Sequence, residues 1–168
     1  MAVKPNMKML DVGAISGEVY IKYQFLKVTS IDLNSQSPLV IKQDFFLRPI
    51  PATQAEKFDI VCLSLVINFV PEAEDRGRML QIVSKHLAGD GLFYLVLPLP
   101  CVTNSRYCTN DHLKHIVFSL GYSLIAEHHS KKLAYYLFKF NGEYQQQEFK
   151  KVEIAPGPAR NNFCITMK

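Results

Sequence analysis

The sequence lacks the apolar segments that direct a chain into or across a membrane. Its longest uncharged stretch, GLFYLVLPLPCVTNS, is shorter than a membrane span and is interrupted by Pro98 and Pro100. The N-terminus has neither the basic nor the apolar region of a signal peptide. With 168 residues, of which 48% are hydrophobic and 20% charged, the chain suits one globular domain with a full core. We therefore predict a soluble intracellular protein with no membrane partner.

Paired cysteines and clustered metal ligands are also absent. The four cysteines show no C-x-x-C spacing, and two lie in or beside apolar runs, which predicts buried free thiols. They are Cys62, Cys101, Cys108 and Cys164. His112 and His115 are three residues apart on a predicted helix, and His128 and His129 are adjacent, but no further ligands accompany either pair. We predict no metal site.

Two phosphate-binding motifs are missing as well. In MLDVGAISGEV, residues 9–19, Gly13 is followed by Ile15 and Glu18 at the positions where a dinucleotide fingerprint requires glycines. No Gly-Lys-Ser or Gly-Lys-Thr occurs, which excludes a Walker loop. Glu18 also adds negative charge where a phosphate would lie. This glycine turn therefore argues against NAD and ATP as ligands.

The apolar runs that are present predict an α/β domain. Five near-continuous runs have the character of strands buried on both faces: MKMLDVG, KVTSIDLN, PLVIKQDFF, KFDIVCLSLVINFV and GLFYLVLPLP. Residues 72–91 predict a helix that ends at Gly89, and residues 109–122 a second that is capped by Thr109 or Asn110 and ends at Gly121. SLIAEHHS and KLAYYLFKFN then predict an antiparallel hairpin. This order predicts an open, mostly parallel α/β sheet that is closed by the hairpin.

The predicted sheet is irregular in two places. Only SQSP, residues 35–38, separates the second strand from the third, which is too short for a crossover helix, so we expect an extended return. Only a handful of residues precede the first strand, and we expect that an N-terminal region of the domain is missing. We place the core domain at 1–145 and a C-terminal tail at 146–168. The tail is basic, and we expect it to be solvated, with an RNA contact as the alternative.

Three aspartates are predicted at the carboxyl ends of neighbouring strands, where ligands of such sheets bind. Asp11 ends the first strand, Asp32 the second and Asp44 the third. Asp32 lies 19 residues after Gly13, close to the ~20 expected of an acid that binds a ribose. S-Adenosylmethionine fits an acidic crevice, because it lacks phosphates, carries an ammonium and a sulfonium, and offers donors on its ribose and adenine.

Four of the predicted cofactor contacts have an expected role. We expect Asp32 to bind the ribose hydroxyls, Asp44 to lie close to the adenine amine and Phe45 to offer a face to the adenine ring. Asp11 would orient the glycine loop or the methionine ammonium. The predicted cofactor-binding set is Asp11, Gly13, Asp32, Asp44, Phe45 and Ser64. One aspartate at a strand end is more often a helix cap or a solvated turn, and that alternative stays open for each.

Several segments resemble the fungal 25S rRNA adenine-N(1)-methyltransferase family. They are LDVG, IDLNSQ, QDFFLRPIP, FDIVCLSLVINFVPEAEDRGRML and PGPARNNFCI, and the likeness runs from about residue 9 to 165. The most specific piece is SLVINFVP followed by RGRML. The resemblance implies a Rossmann-like, class I methyltransferase fold, S-adenosylmethionine as cofactor, and a cofactor site at Gly13 and Asp32. It also implies an rRNA substrate and a location in the nucleus, in the nucleolus.

Residues 64–71, SLVINFVP, are the candidate substrate loop. Asn68, Phe69 and Pro71 loosely echo the Asn-Pro-Pro-aromatic loop of adenine N6-methyltransferases, although here the aromatic precedes the proline. Such an aromatic stacks on a flipped base, and an amide or carbonyl receives its exocyclic NH. The equal alternative is a strand end with a buried Phe.

The residues and the resemblance together predict an enzyme that methylates N1 of an adenine in large-subunit rRNA. N1 of neutral adenine already has a lone pair, so alignment in a dry pocket would supply most of the rate. This explains why no catalytic dyad is found, and only Asn68, Phe69 and Pro71 are catalytic candidates. The alternative is a non-catalytic S-adenosylmethionine sensor that acts through protein partners, as in a related animal protein of the target-of-rapamycin pathway. The predicted partner is large-subunit rRNA or a pre-ribosomal particle.

Overall fold

Seven strands form one sheet in the computed structural model, which describes residues 4–168. The strands are β1 (Met7–Val12), β2 (Leu26–Asp32), β3 (Val40–Lys42), β4 (Phe58–Ser64), β5 (Leu87–Pro98), β6 (Tyr122–His129) and β7 (Leu133–Phe140). Their order in the sheet is β3-β2-β1-β4-β5-β7-β6. The first five strands run parallel, and β7 lies antiparallel between β5 and β6. The predicted fold class, with its C-terminal antiparallel hairpin, is confirmed.

The helices are α1 (Ala73–His86), α2 (Pro100–Thr103) and α3 (Asn110–Ser119). Apolar residues of α1 and α3 share one core cluster with alternate residues of the central strands. The prediction for α3 is confirmed, because the Thr109 side chain accepts a hydrogen bond from the backbone N–H of His112 and Gly121 follows with a φ of 87°. The predicted end of α1 at Gly89 is wrong. The helix stops at His86, and Leu87 already pairs with Phe58 in the sheet.

The return from β2 to β3 has no helix, as its length predicted. Residues 33–39 form turns, and β3 pairs in parallel with β2 through Ile31 and Ile41. Asp44, however, does not end the third strand. β3 stops at Lys42, and Asp44 caps a 3-10 turn formed by Phe45–Leu47.

The C-terminal tail packs against the helices, so the expectation of a solvated tail is wrong. Phe149 is buried, and its ring meets those of His112 and His115 edge-on at 5.9 and 5.4 Å between centroids. Phe149 also forms an isolated backbone bridge with Met167, which is buried too. Phe163, Cys164 and Ile165 are buried as well. The tail was expected to be solvated because its few apolar residues lie among many polar ones.

Candidate active site

A cavity of about 810 Å³ lies at the carboxyl ends of β1, β2 and β4. All six residues predicted to bind the cofactor line it, as do Phe69 and Pro71 of the candidate substrate loop. The cavity wall is mostly apolar. Its charged groups, within residues 4–168, are the four carboxylates of Asp11, Asp32, Asp44 and Asp75, with no Lys, Arg or His among them. Such a wall favours a cationic ligand rich in hydrogen-bond donors and disfavours phosphate groups.

Gly13 forms the tight turn between β1 and the cavity. Its φ is 75°, in the left-handed region, and its N–H donates to the carbonyl of Ile31 at 2.8 Å. A Cβ atom at this position would lie only 2.5 Å from Cγ2 of Val66, which belongs to the cavity wall. A side chain at position 13 would therefore strain the backbone and also displace the segment that follows β4.

Asp11 is the most deeply buried of these carboxylates, with 6% of its surface exposed. Cys62 lies beside it on the neighbouring strand, and its thiol favours the charged form of the carboxyl. Burial removes water from the charged form, which raises the pKa of Asp11 to about 6 despite that thiol. Burial likewise raises the pKa of the Cys62 thiol, to about 12. The ionised Asp11 therefore lowers the stability of the folded protein while placing a negative charge at the floor of the cavity.

Asp32 and Asp44 each use one carboxylate oxygen to hold the local backbone. Oδ1 of Asp32 accepts from the N–H of Asn34 at 2.7 Å, and Oδ1 of Asp44 accepts from the N–H of Phe46 at 2.8 Å. The alternative of a turn or cap is therefore correct for both residues. It does not remove them from the site, because both still line the cavity and the turns fix their side chains there.

Two aromatic rings contribute to the wall next to Asp44. Phe45 lines the cavity, but only 3% of its surface is exposed, and its ring packs 5.2 Å from that of His86. Phe46 is half-buried and also lines the cavity, with the guanidinium of Arg78 over its ring at 4.6 Å. Phe46 thus offers a ligand more ring surface than the predicted Phe45.

The segment after β4 turns sharply beside the cavity. Ser64 ends the strand, and Leu65 follows with a φ of 60°, a left-handed conformation that costs a non-glycine residue about 1–2 kcal/mol. A 3-10 turn of Ile67–Phe69 comes next. Phe69 is 79% exposed at the rim, so the alternative of a buried Phe is wrong. Asn68 does not line the cavity, yet its Oδ1 is buried and accepts no hydrogen bond within residues 4–168.

Among the wall residues that were not predicted are Tyr20, Gln43 and Asp75. Tyr20 reaches the cavity from the turns between β1 and β2, and its hydroxyl lies 3.5 Å from Sγ of Cys62. Gln43 precedes Asp44, and its side chain accepts a hydrogen bond from Arg48. Asp75 lies in the first turn of α1 and pairs with Arg78 at 3.3 Å. The acidic first turn of α1 was visible in the sequence, but nothing local placed it beside the glycine turn.

Comparison with solved structures agrees with this geometry. The chain superposes on an S-adenosylmethionine dependent methyltransferase from Mesorhizobium loti with a TM-score of 0.62. The match covers 83% of this chain and 93% of the other at 10% identity, so it shows the fold alone. The strand order and the position of the cavity define a Rossmann-like, class I methyltransferase fold.

Comparison with sequences then identifies the family. Residues 2–165 match the family described as 25S rRNA (adenine(2142)-N(1))-methyltransferase, Bmt2, and the chain belongs to it. The resemblance predicted from the sequence is therefore confirmed. The 25S rRNA (adenine(2142)-N(1))-methyltransferase of Saccharomyces cerevisiae is 38% identical over 167 residues, which are 97% of this chain and 49% of the relative. The 25S rRNA adenine-N(1) methyltransferase of Schizosaccharomyces pombe is 33% identical over 170 residues, 97% of this chain and 62% of the relative. The chain thus spans about half to three-fifths of the length of these relatives.

Proposed function

We propose that this protein binds S-adenosylmethionine in the cavity and methylates N1 of an adenine in large-subunit rRNA. The observation that carries the proposal is a mostly apolar cavity, at the ligand-binding edge of a methyltransferase sheet, whose charged groups are all carboxylates within residues 4–168. Membership of the rRNA methyltransferase family supports the reaction and the substrate class.

The residues of the wall fit each part of this cofactor. Asp32 is held beside the cavity, where it would accept hydrogen bonds from the ribose hydroxyls. Asp44 would accept a hydrogen bond from the adenine amine, near Phe46. Asp11 would accept the methionine ammonium, and the bare Gly13 leaves room for the methionine chain. When bound, S-adenosylmethionine supplies an electrophilic methyl group.

The candidate substrate loop would receive the base. Phe69 presents an exposed ring on which an extruded adenine can stack. The buried side-chain oxygen of Asn68 has no donor in the described part of the chain, and a small shift of the loop would let it accept a hydrogen bond from the exocyclic N–H of the adenine. Such a hydrogen bond would orient N1, whose lone pair needs no general base, towards the cavity. The chain would thus act by positioning and by excluding water.

We also propose that the substrate is met during ribosome production, in the nucleolus. An adenine that stacks on Phe69 must leave its own helix, and this is easiest before an rRNA is folded and covered by proteins. The sensor alternative requires the cofactor cavity but no base-binding loop. The exposed ring of Phe69 therefore favours the enzyme over the sensor.

The test combines the chain with methyl-labelled S-adenosylmethionine and large-subunit rRNA from cells that lack this modification. Label should appear in N1-methyladenosine after digestion of the rRNA to nucleosides. Asp32→Ala should weaken cofactor binding about tenfold to a hundredfold, because two hydrogen bonds to ribose contribute roughly 1–3 kcal/mol. Asp111→Ala is the matched control, since the Asp111 side chain is 93% exposed in α3, where it pairs with Lys114. Tight cofactor binding with no transfer to any rRNA would instead support the sensor, and no cofactor binding would refute both.

A further inference from the structure

One arginine of α1 joins the candidate substrate loop to the C-terminal tail. The Arg76 guanidinium donates to the carbonyl of Val70 through Nε at 2.8 Å and to that of Pro71 through Nη2 at 3.1 Å. Its Nη1 donates to the carbonyl of Cys164 at 2.7 Å, and the cation lies 5.0 Å from the ring centre of Phe163. Three carbonyls from two distant segments thus converge on one side chain.

The neighbouring glycine brings the tail close enough for this contact. A Cβ atom on Gly77 would lie 2.0 Å from the carbonyl oxygen of Thr166, which no side chain could tolerate. The N–H of Thr166 in turn donates to the carbonyl of Ala73 at 3.0 Å, in the first turn of α1. The backbone of the tail therefore lies directly on the helix, and Gly77 is the residue that permits this contact.

The two loop carbonyls bound by Arg76 directly follow the residues proposed to meet the base. Val70 closes the 3-10 turn by donating its N–H to Ile67 at 3.1 Å, and Asn68 and Phe69 lie within that turn. The exposed ring of Phe69 has little packing of its own to fix it. Its position consequently depends on the backbone on either side, which is held by Leu65 before it and by Arg76 after it.

We propose that Arg76 is a positioning residue for the substrate base and that residues 161–168 of the tail belong to the methyl-transfer machinery. The tail holds Arg76, and Arg76 holds the end of the turn that carries Asn68 and Phe69. The functional part of this inference rests on the proposed function, because the turn must meet the base. Neither Arg76 nor the tail lines the cofactor cavity.

The first experiment measures loop order without any activity. The chain contains no Trp, so Phe69→Trp introduces a single Trp at the tip of the loop, whose fluorescence can be excited apart from that of the tyrosines. Adding Arg76→Met should lower the fluorescence anisotropy of this Trp while circular dichroism stays native. Lys85→Met is the matched control, since it removes a cation from an exposed position of the same helix, and it should leave the anisotropy unchanged. Unchanged anisotropy in folded Arg76→Met would overturn the proposal.

A second variant separates the tail from the arginine. Gly77→Ala leaves Arg76 in place and favours the helix itself, but its methyl group collides with Thr166, so it should push the tail away. The proposal expects Gly77→Ala to lower the anisotropy as Arg76→Met does. If Arg76→Met fails to fold, Gly77→Ala decides alone, and an unchanged reporter in that variant refutes the role of the tail.

The third measurement connects the loop to the reaction in chains that retain Phe69. Arg76→Met and Arg76→Lys should both lower kcat about tenfold or more with little change in cofactor affinity, because misplacement by about 1 Å is costly. Arg76→Lys should not restore kcat, because a single ammonium cannot donate to all three carbonyls as the guanidinium does. Equal kcat in folded variants would overturn the positioning role. If the parent chain methylates no rRNA, the proposed function fails while the anisotropy still decides whether Arg76 orders the loop.

Discussion

Replacing Asp11 with Asn should make the protein more stable at neutral pH and lower its affinity for the cofactor. The folded protein raises the pKa of Asp11 from 3.8 to about 6 through burial. A proton therefore binds more tightly to Asp11 in the folded protein than in the unfolded chain, and the ionised carboxylate destabilises the fold. This cost is absent below pH 3.8, grows as the pH rises to about 6, and is complete above it.

The size of the effect follows from the shift. A rise of about 2 pKa units corresponds to about 3 kcal/mol at pH 7, which is an upper limit for the gain in Asp11→Asn. The amide keeps an oxygen that can face the Cys62 thiol, but its new N–H₂ group must find acceptors in the cavity. We therefore expect a net gain of about 1–2 kcal/mol in the free energy of unfolding.

Urea unfolding of the wild type and of Asp11→Asn at pH 7.5, 5.5 and 4.5 measures this gain. The difference should be largest at pH 7.5 and shrink towards pH 4.5, where the wild-type carboxyl is itself neutral. Asp111→Asn, which changes an exposed carboxylate, should show no such trend. A variant that is equally or less stable at every pH would refute the reasoning and leave Asp11 as a structural partner of Cys62.

Calorimetry gives the functional half of the same prediction. The affinity for S-adenosylmethionine should fall about tenfold in Asp11→Asn, because a charge-assisted hydrogen bond to the ammonium is lost. 5′-Methylthioadenosine, which has the nucleoside but no ammonium, should bind both proteins alike. An equal loss for both ligands would place Asp11 near the nucleoside instead.

Three further predictions test other parts of the site and the core. Gly13→Arg should abolish cofactor binding in a chain that still folds, because the side chain would displace Val66 and fill the space proposed for the methionine chain. Calorimetry measures the binding and circular dichroism the fold, and retained binding would mean that the Gly13 turn does not hold the cofactor. His86 is fully buried, and its Nε2 has no hydrogen-bond partner among residues 4–168. Burial lowers the pKa of His86 from 6.5, so the unfolded chain binds the extra proton and stability should fall as the pH drops below about 6.5. Denaturant unfolding of His86→Phe against the wild type isolates that slope, which a flat difference would disprove. Phe69→Ala should lower kcat/KM for rRNA about tenfold or more while Phe69→Tyr retains most of it, since stacking needs only a ring; equal rates for the two in a transfer assay would count against stacking.

The sheet and its ligand-binding edge were predictable because they depend on local patterns. Continuous apolar runs predicted the strands, and the carboxyl ends of parallel strands necessarily share an edge, so Asp11 and Asp32 were expected at one crevice. The structure places both in the wall of the same cavity. Their individual roles towards a cofactor remain predictions.

The remaining features depend on contacts between distant residues. α1 ends early because Leu87 pairs with Phe58. The two glycines beyond it flank Asp90, whose φ is 63°, inside β5 where the pairing with β4 shifts register, and their glycine pattern alone predicted a helix end there. Asp44 caps a turn because β3 stops after three residues. The tail looked solvated because its apolar residues are interspersed with polar ones, and only the helices that they cover reveal their partners.

The charge of the cavity wall should favour S-adenosylmethionine over its product, S-adenosylhomocysteine. Its charged groups, within residues 4–168, are all negative. S-Adenosylmethionine carries a net positive charge, whereas S-adenosylhomocysteine has lost the sulfonium charge and keeps nearly the same shape. In the proposed reaction, the electrostatic attraction between the wall and the cofactor would therefore fall on methyl transfer, while the apolar contacts stay the same. We expect inhibition by accumulated product to be weaker than shape alone would predict, and to become stronger relative to substrate binding as added salt screens the carboxylates.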